Sequence, residues 1–274
     1  MLSLNSASSH NAFYIERDLT DWYNNGSLWD RISGTNGYDE FEGIFPGCTF
    51  DMSRNIKANV SGDTDLGNKK ILILGCNFYI NKYQNSTSYI TYNHINCLAY
   101  SEFGKAYMNT TDTTVGGYYG SKMNQEIIGS VTNTGSISGT INEQLYAEFG
   151  SHLKTVRETL SSTMDASFDN RVHLELGCAR GRVWTETQAG LLSEIELYGT
   201  FIYSGSGEEA GIANIQFPVF KYNTNLVNNN HKSYWLRDIA TQTKFSAFGN
   251  AGNVISYPAS NSSEVYIRPK FILA

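Results

Sequence analysis

A chain of 274 residues, 41% of them hydrophobic, is long enough to bury a substantial core without disulfides or metals. Charged residues supply only 17%, below the quarter usual for a soluble domain, and Asn, Ser, Thr, Gly and Tyr fill the gap, so the expected surface is hydrogen-bonding and suited to protein or carbohydrate partners. With 26 acidic against 20 basic residues the net charge of −6 gives no attraction to phosphates, and with no basic run interleaved with aromatics, nucleic acid is not an expected partner.

The first ten residues carry no basic or apolar signal region, and no apolar stretch approaches the ~20 residues that cross a bilayer, so synthesis in a bacterial cytoplasm without export or membrane insertion is expected. Cys48, Cys76, Cys97 and Cys178 include no C-x-x-C pair, which argues against a zinc knuckle and for buried free thiols. A cytosolic product with an adhesin-like surface is reconciled by a virus, whose particle proteins are assembled inside the host and meet the outside later.

In chain order, residues 1–15 read as a polar amino-terminal arm. Leu19, Trp22 and Tyr23, then Leu28, Trp29 and Ile32, form two short helix-spaced clusters, with Ser27 as the N-cap of the second. After the Pro46-Gly47 turn and a polar stretch, Lys70 to Ile80 has the length and β-branched content of a buried central strand, a run that a short helix would share. Residues 83–92 read as a tyrosine-bearing loop and 96–100 as a strand. Residues 110–121 are turn chemistry, ending in Ser121 as cap of a short helix over 122–128. Leu145, Phe149, Leu153, Val156, Leu160 and Met164 are spaced by 4, 4, 3, 4 and 4, an amphipathic helix pattern that Gly150-Ser151 breaks into two elements, the second beginning as a strand.

Further on, 172–177 and 191–198 are ordered candidates, the latter with Ser193-Glu194-Ile195-Glu196 as a helix start. Residues 199–207 read as a strand passing into a glycine loop, and 216–222 as extended. At the carboxy terminus, strands near 234–238 and 265–273 frame a polar loop. No internal period is present. Residues 16–274 are expected to form a single α+β domain, short helices around small antiparallel β-sheets.

Several strings then resemble one group: Phe41-Glu-Gly-Ile-Phe-Pro-Gly47, the segment Asn109 to Met123, Leu192-Ser-Glu-Ile-Glu-Leu-Tyr-Gly199, Phe217-Pro218, Tyr234-Trp-Leu-Arg-Asp238 and Arg268-Pro-Lys-Phe271. In this order they resemble a family of phage and prophage virion proteins, some of them head fibre proteins. The last third is similar to the C-type-lectin-like fold of phage tropism determinants and formylglycine-generating enzymes. No cysteine follows Cys178 to serve formylglycine-type oxidation, and the Glu-Pro-Asn and Trp-Asn-Asp signatures of calcium-dependent lectins are missing, so the fold carries over and those activities do not.

Acid/base hydrolysis would need two carboxylates facing each other across a cleft; Glu194 and Glu196, two residues apart, read instead as helix start and solvated surface. Ser206 lacks the context of a nucleophile elbow, and the five histidines have no metal-binding spacing, so no catalytic residue, metal or cofactor is expected. Arg237 and Arg268 could clamp a carboxylated sugar or else bond carbonyls and pair with Asp238 or Glu264; Trp235 could be a platform or a core anchor. Tyrosines beside glycines or in loops suit adaptable contact surfaces, with a neighbouring subunit favoured over a glycan. The contact candidates are Tyr83, Tyr89, Tyr92, Tyr118, Tyr119, Trp235, Arg237, Asn250, Asn253 and Tyr257. The expected outward surface is the loops around Tyr118, Tyr119 and residues 240–262. The expectation is a non-enzymatic phage virion protein, a head fibre or capsid decoration protein at the virion surface. It would form a homotrimer, touch other virion proteins and reach host surface glycans. A tail adhesin and a carbohydrate-active enzyme are the alternatives.

Overall fold

The apolar run starting at Lys70 lies at the centre of the molecule. In the computed structural model, which describes residues 17–60, 66–129, 139–164, 179–203, 215–227 and 231–274, that run as far as Cys76 belongs to strand β2 (Asn68–Cys76), flanked by β1 (Thr49–Ile56) and β3 (Ile95–Ala99), whereas residues 77–80, expected to continue the strand, form a turn. The carboxy-terminal strand β11 (Lys270–Leu273) pairs with β3 and with two short strands, β4 (Leu153–Lys154) and β7 (Ala189–Gly190), giving a six-stranded antiparallel sheet. Ile71, Ile73, Ile95, Cys97, Phe271 and Leu273 face one apolar cluster, whereas Leu72, Leu74, Leu98 and Ile272 face another. A sheet covered on both faces needs side chains that are apolar on both, which is why β2 reads as an unbroken apolar run without alternation.

The first cluster is closed by α1 (Thr20–Asn24), α2 (Ser27–Ser33) and α3 (Ile141–Phe149), the second by α4 (Glu194–Tyr198) and α5 (Pro218–Tyr222). A second sheet of three strands, β8 (Tyr234–Ile239), β9 (Lys244–Phe248) and β10 (Val254–Pro258), contributes Trp235 and Phe245 to the first cluster and Leu236 and Phe248 to the second. The third sheet is the hairpin pair β5 (Val156–Met164) and β6 (Ala179–Thr187). The architecture is thus mixed α+β, antiparallel sheets with few and short helices.

The break predicted at Gly150 is present. Leu145 and Phe149 lie on one buried face of α3, Thr140 caps it by accepting the Glu143 N–H at 3.1 Å, and Gly150 ends it at φ +55°. Leu153, Val156 and Leu160 keep the helical spacing yet lie in strands, as the β-branched Thr155, Val156 and Thr159 favour.

Several expectations are corrected. The polar loop between the two carboxy-terminal strands contains the β9–β10 hairpin, turned by Gly249 to Asn253, where the Gly249 N–H donates to the Asn253 carbonyl at 2.7 Å and Gly252 takes φ +89°. Residues 216–222, expected to be extended, include helix α5, because Pro218 occupies its first position with φ already set for a helix. Ser27 is the first residue of α2, not its cap. The turn before it is set by Asn25, whose side chain accepts the Ser27 N–H at 2.9 Å, and by left-handed Gly26. The described part of the strand expected at 199–207, residues 199–203, is turn and bend. The amino-terminal arm over residues 1–15 and the candidate at 172–177 fall outside the described residues.

The Gly116-Gly117-Tyr118-Tyr119 stretch, expected to face outward, is folded in. Tyr118 is buried, its N–H donates to Ser161 Oγ at 3.0 Å, and its hydroxyl accepts from the Leu191 N–H at 3.2 Å. Tyr119 is half-buried against the first cluster and its N–H donates to the Ser161 carbonyl at 2.8 Å. The glycines serve close approach, since a Cβ on Gly117 would lie 2.2 Å from the Ser161 carbonyl oxygen at a φ of +63°. Gly117→Ala is therefore expected to destabilise the fold by about 2 kcal/mol or more, read as a lower urea midpoint in equilibrium unfolding. Gly252→Ala, with no atom within 4 Å of the added Cβ, is expected to cost less in the same measurement.

Candidate functional site

Two groupings of polar and aromatic side chains stand out, one inside the molecule and one on its surface. The inner one is ionic. Glu158 on β5 accepts from Arg237 Nη1 on β8 at 2.7 Å and from Lys270 Nζ on β11 at 3.1 Å; Lys270 also reaches Glu196 of α4 at 2.5 Å, and the Tyr79 hydroxyl donates to Glu196 at 3.0 Å. Thr187 donates to the remaining Glu158 oxygen at 2.9 Å. All of these groups are buried.

Glu194 and Glu196, expected on a solvated surface, are buried for stated reasons. Glu196 closes a capping box with Ser193, accepting its N–H at 2.9 Å, while its other oxygen takes Lys270 and Tyr79. Glu194 accepts the N–H groups of Ile202 at 2.7 Å and Tyr203 at 3.0 Å and the Ser246 hydroxyl at 2.6 Å. The helix start was legible; its burial was not. Although this cluster has the composition of an acid/base site, the cavity beside Glu158 and Lys270 measures about 10 Å³, the size of one water molecule and no substrate. It is a structural junction. Arg237, a contact candidate, therefore serves the core, pairing with Glu158 at 2.7 Å and lying 4.0 Å from Glu196. Arg268 donates to the carbonyls of Ala99 and Tyr100, each at 3.1 Å. Trp235 is buried too, its indole N–H donating to the Ala106 carbonyl at 2.7 Å.

The surface grouping is aromatic. Tyr83 and Tyr89 face each other across a tight loop, rings stacked at 4.6 Å, with the Tyr89 hydroxyl donating to that of Tyr83 at 3.1 Å. Asn85 shapes the loop tip by accepting the N–H groups of Thr87 and Ser88, each at 2.9 Å, and the Gln84 N–H donates to the Ser88 carbonyl at 2.9 Å. At the loop's base, His94 Nε2 accepts the Tyr79 N–H at 3.1 Å, which leaves Nδ1 to donate to the Tyr92 carbonyl at 3.1 Å. Trp184 of β6 stands edge-on to Tyr83 at 6.4 Å, and the Arg157 guanidinium lies 5.4 Å from the Trp184 ring centre. The Arg157 N–H donates to the Tyr83 carbonyl at 2.9 Å, tying the loop to β5. Tyr83, Tyr89 and Trp184 remain 39%, 50% and 47% exposed, so three rings held by neighbouring elements present one open platform.

Of the predicted contact residues, the structure brings only Tyr83 and Tyr89 onto this platform. Tyr92 is half-buried beside the second core cluster, edge-on to His94, and burial pushes its phenol up to about 12. Asn250 and Asn253 are exposed in the turn of the β9–β10 hairpin, and Tyr257 of β10 is half-buried, edge-on to Trp235. Sequence reasoning missed Trp184. The signal was there: read as a strand, Arg182-Val183-Trp184-Thr185-Glu186 places Trp184 on the same face as Arg182 and Glu186, a polar face on which a tryptophan is exposed. Among the described residues, no group of three or more His, Cys, Asp or Glu side chains is placed to hold a metal ion.

Burial alone would raise the Glu158 carboxyl, but Lys270 and Arg237 beside it hold it down at about 2, against an ordinary 4.5. A depressed carboxyl contributes stability that is present above the unfolded value and lost as pH falls from 4.5 toward 2. Burial pushes the His94 imidazole below its usual 6.5, so its contribution is also lost on acidification, beginning below that pH. Denaturant unfolding across pH should show two successive losses of stability, the second smaller in Glu158→Gln but not abolished, because the carboxyls of Glu148, Asp18 and Asp112 are also held below their ordinary values by hydrogen bonds. At neutral pH that variant is expected to cost about 3–5 kcal/mol, because it leaves buried cations underpaired.

Comparison with known proteins found no matching protein-family model, no similar curated protein and no similar solved structure.

Proposed function

We propose that this chain is a non-enzymatic structural protein of a bacteriophage particle, a head fibre or capsid decoration protein displayed on the virion surface. The observation that carries the reading as a binding protein is the exposed Tyr83–Tyr89–Trp184 platform, held by backbone bonds and ring contacts, while the ionic cluster of enzyme-like composition is closed off in the core. Tyr and Trp provide large amphipathic contact area at low entropic cost, a property of recognition surfaces. The phage assignment rests on the motif resemblance, and the low charge content fits a surface that meets other proteins and sugars.

A C-type-lectin-like arrangement of the carboxy-terminal third is part of this reading. It is supported by the Trp-Leu-Arg strand β8 and the Arg268-Pro269 segment, which are joined by a parallel bridge between Tyr234 and Tyr266 and bracket the β9–β10 hairpin. Homotrimeric assembly and contacts with other virion proteins follow from the head-fibre role. Among the described residues no helix is long and apolar enough to cross a membrane.

Immunogold electron microscopy of intact virions, with antibody raised against this chain, tests the assignment. Label distributed over the capsid is the expected result. Label confined to the tail would make the protein a receptor-binding adhesin instead, and unlabelled particles that carry the gene would overturn the virion reading.

A further inference from the structure

We propose that Tyr83, Tyr89 and Trp184 form a subsite for one pyranose ring of a surface glycan. This rests on the reading of the chain as a non-enzymatic binding protein and adds the ligand class and the residues that take it.

A pyranose offers a flat patch of C–H groups on one face and hydroxyls around its edge. The complementary site is an exposed aromatic face rimmed by hydrogen-bonding side chains. The Tyr83–Tyr89 stack occupies one face of each ring and leaves Tyr89 half exposed, while Trp184 stands at a steep 72° to Tyr83, so the rings form an angled wall that a flat molecule can enter. Exposed Ser86 and Ser88 lie on the loop that carries the tyrosines, and Glu186 on β6, the strand of Trp184, sits opposite Arg157 on the paired strand β5. Donors and acceptors thus flank the aromatic surface on both sides.

Other occupants fit less well. With each ring contributing ~150–250 Å² when fully exposed and about half of that open, the platform offers on the order of 300 Å². A stable subunit interface needs roughly 800 Å² per partner. A cationic ligand would be repelled by Arg157, which already lies over Trp184. A nucleobase with its phosphate would meet a chain of net charge −6. The platform is also preorganised: the Asn85 turn, the Tyr89–Tyr83 hydroxyl bond and the Arg157–Tyr83 backbone bond fix the rings before any ligand arrives, which lowers the entropic cost of binding a small, weakly held molecule.

The test uses the full chain and four probes, methyl α-glucoside, methyl α-galactoside, N-acetylglucosamine and glucuronic acid, followed by saturation-transfer NMR and by tryptophan fluorescence. Saturation transfer to the ring C–H protons of at least one probe is expected. Trp184→Ala and Tyr89→Ala should each weaken that binding about tenfold, the ratio that 1.4 kcal/mol gives. Tyr222→Ala, removing an exposed tyrosine on α5, should leave it unchanged. Both platform side chains are about half exposed, and unchanged thermal midpoints would establish that the variants fold. No transfer to any of the four probes at millimolar concentration overturns the proposal, as does binding that survives Trp184→Ala. A change in sedimentation of Trp184→Ala without a change in sugar binding would make the platform a subunit contact and overturn it too. Capsid label with no sugar binding refutes the subsite alone; sugar binding by a chain that labels no virion refutes the virion reading alone.

Discussion

The bond that the rest of the molecule depends on is the pairing of Glu158 with Arg237 and Lys270. Glu158 belongs to the β5–β6 hairpin, Arg237 to the three-stranded sheet and Lys270 to the last strand of the central sheet, so a single carboxylate joins all three sheets. Glu196 brings helix α4 to the same point and Tyr79 brings the segment that follows β2. Taking these charges out of water costs several kcal/mol each, and an apolar cluster of equal volume could be as stable. What the ionic junction supplies is directionality: apolar layers can slide, whereas a carboxylate shared by a guanidinium and an ammonium fixes how the sheets meet.

That junction also positions the surface platform. Arg157 and Glu158 are neighbours on β5 and point to opposite sides of the strand. The inward Glu158 is held by the core, while Arg157 donates its N–H to the Tyr83 carbonyl and faces Trp184 with its side chain. The aromatic rings are therefore tied to a strand pinned from behind by charge, the tyrosine loop through the Arg157 N–H and Trp184 through the pairing of β6 with β5. His94 secures the other end of the loop through both ring nitrogens.

The tyrosines divide by backbone context. Tyr118 follows two glycines, which suggests a flexible exposed loop, but those glycines let the chain pass against the Ser161 backbone and the phenol finds a partner in the Leu191 N–H. Tyr83 and Tyr89 flank an Asn-Ser-Thr-Ser turn with no glycine, and both are exposed. A glycine beside an aromatic marks close approach as readily as it marks mobility.

The sequence alone determined what is local. The helix start at Ser193, the break at Gly150, the buried apolar run from Lys70 and the α+β class follow from spacing, caps and β-branched content, which act over a few residues, whereas the choice of strand over short helix for that run is made by its pairing. The motif resemblance raised the phage and lectin-like expectations, and these remain proposals. Tertiary structure decided what depends on distant partners. Glu194 and Glu196 read as solvated because nothing within a few residues shows that Lys270, 74 positions from Glu196, or Ser246, 52 positions from Glu194, will meet them. Trp184 joins Tyr83 and Tyr89 only because β6 pairs with β5 and β5 bonds the tyrosine loop. Local rules set each element's type and its ends; which charges are buried and which rings stay open depends on the pairing of segments far apart in the chain, and that pairing exists only in the folded state.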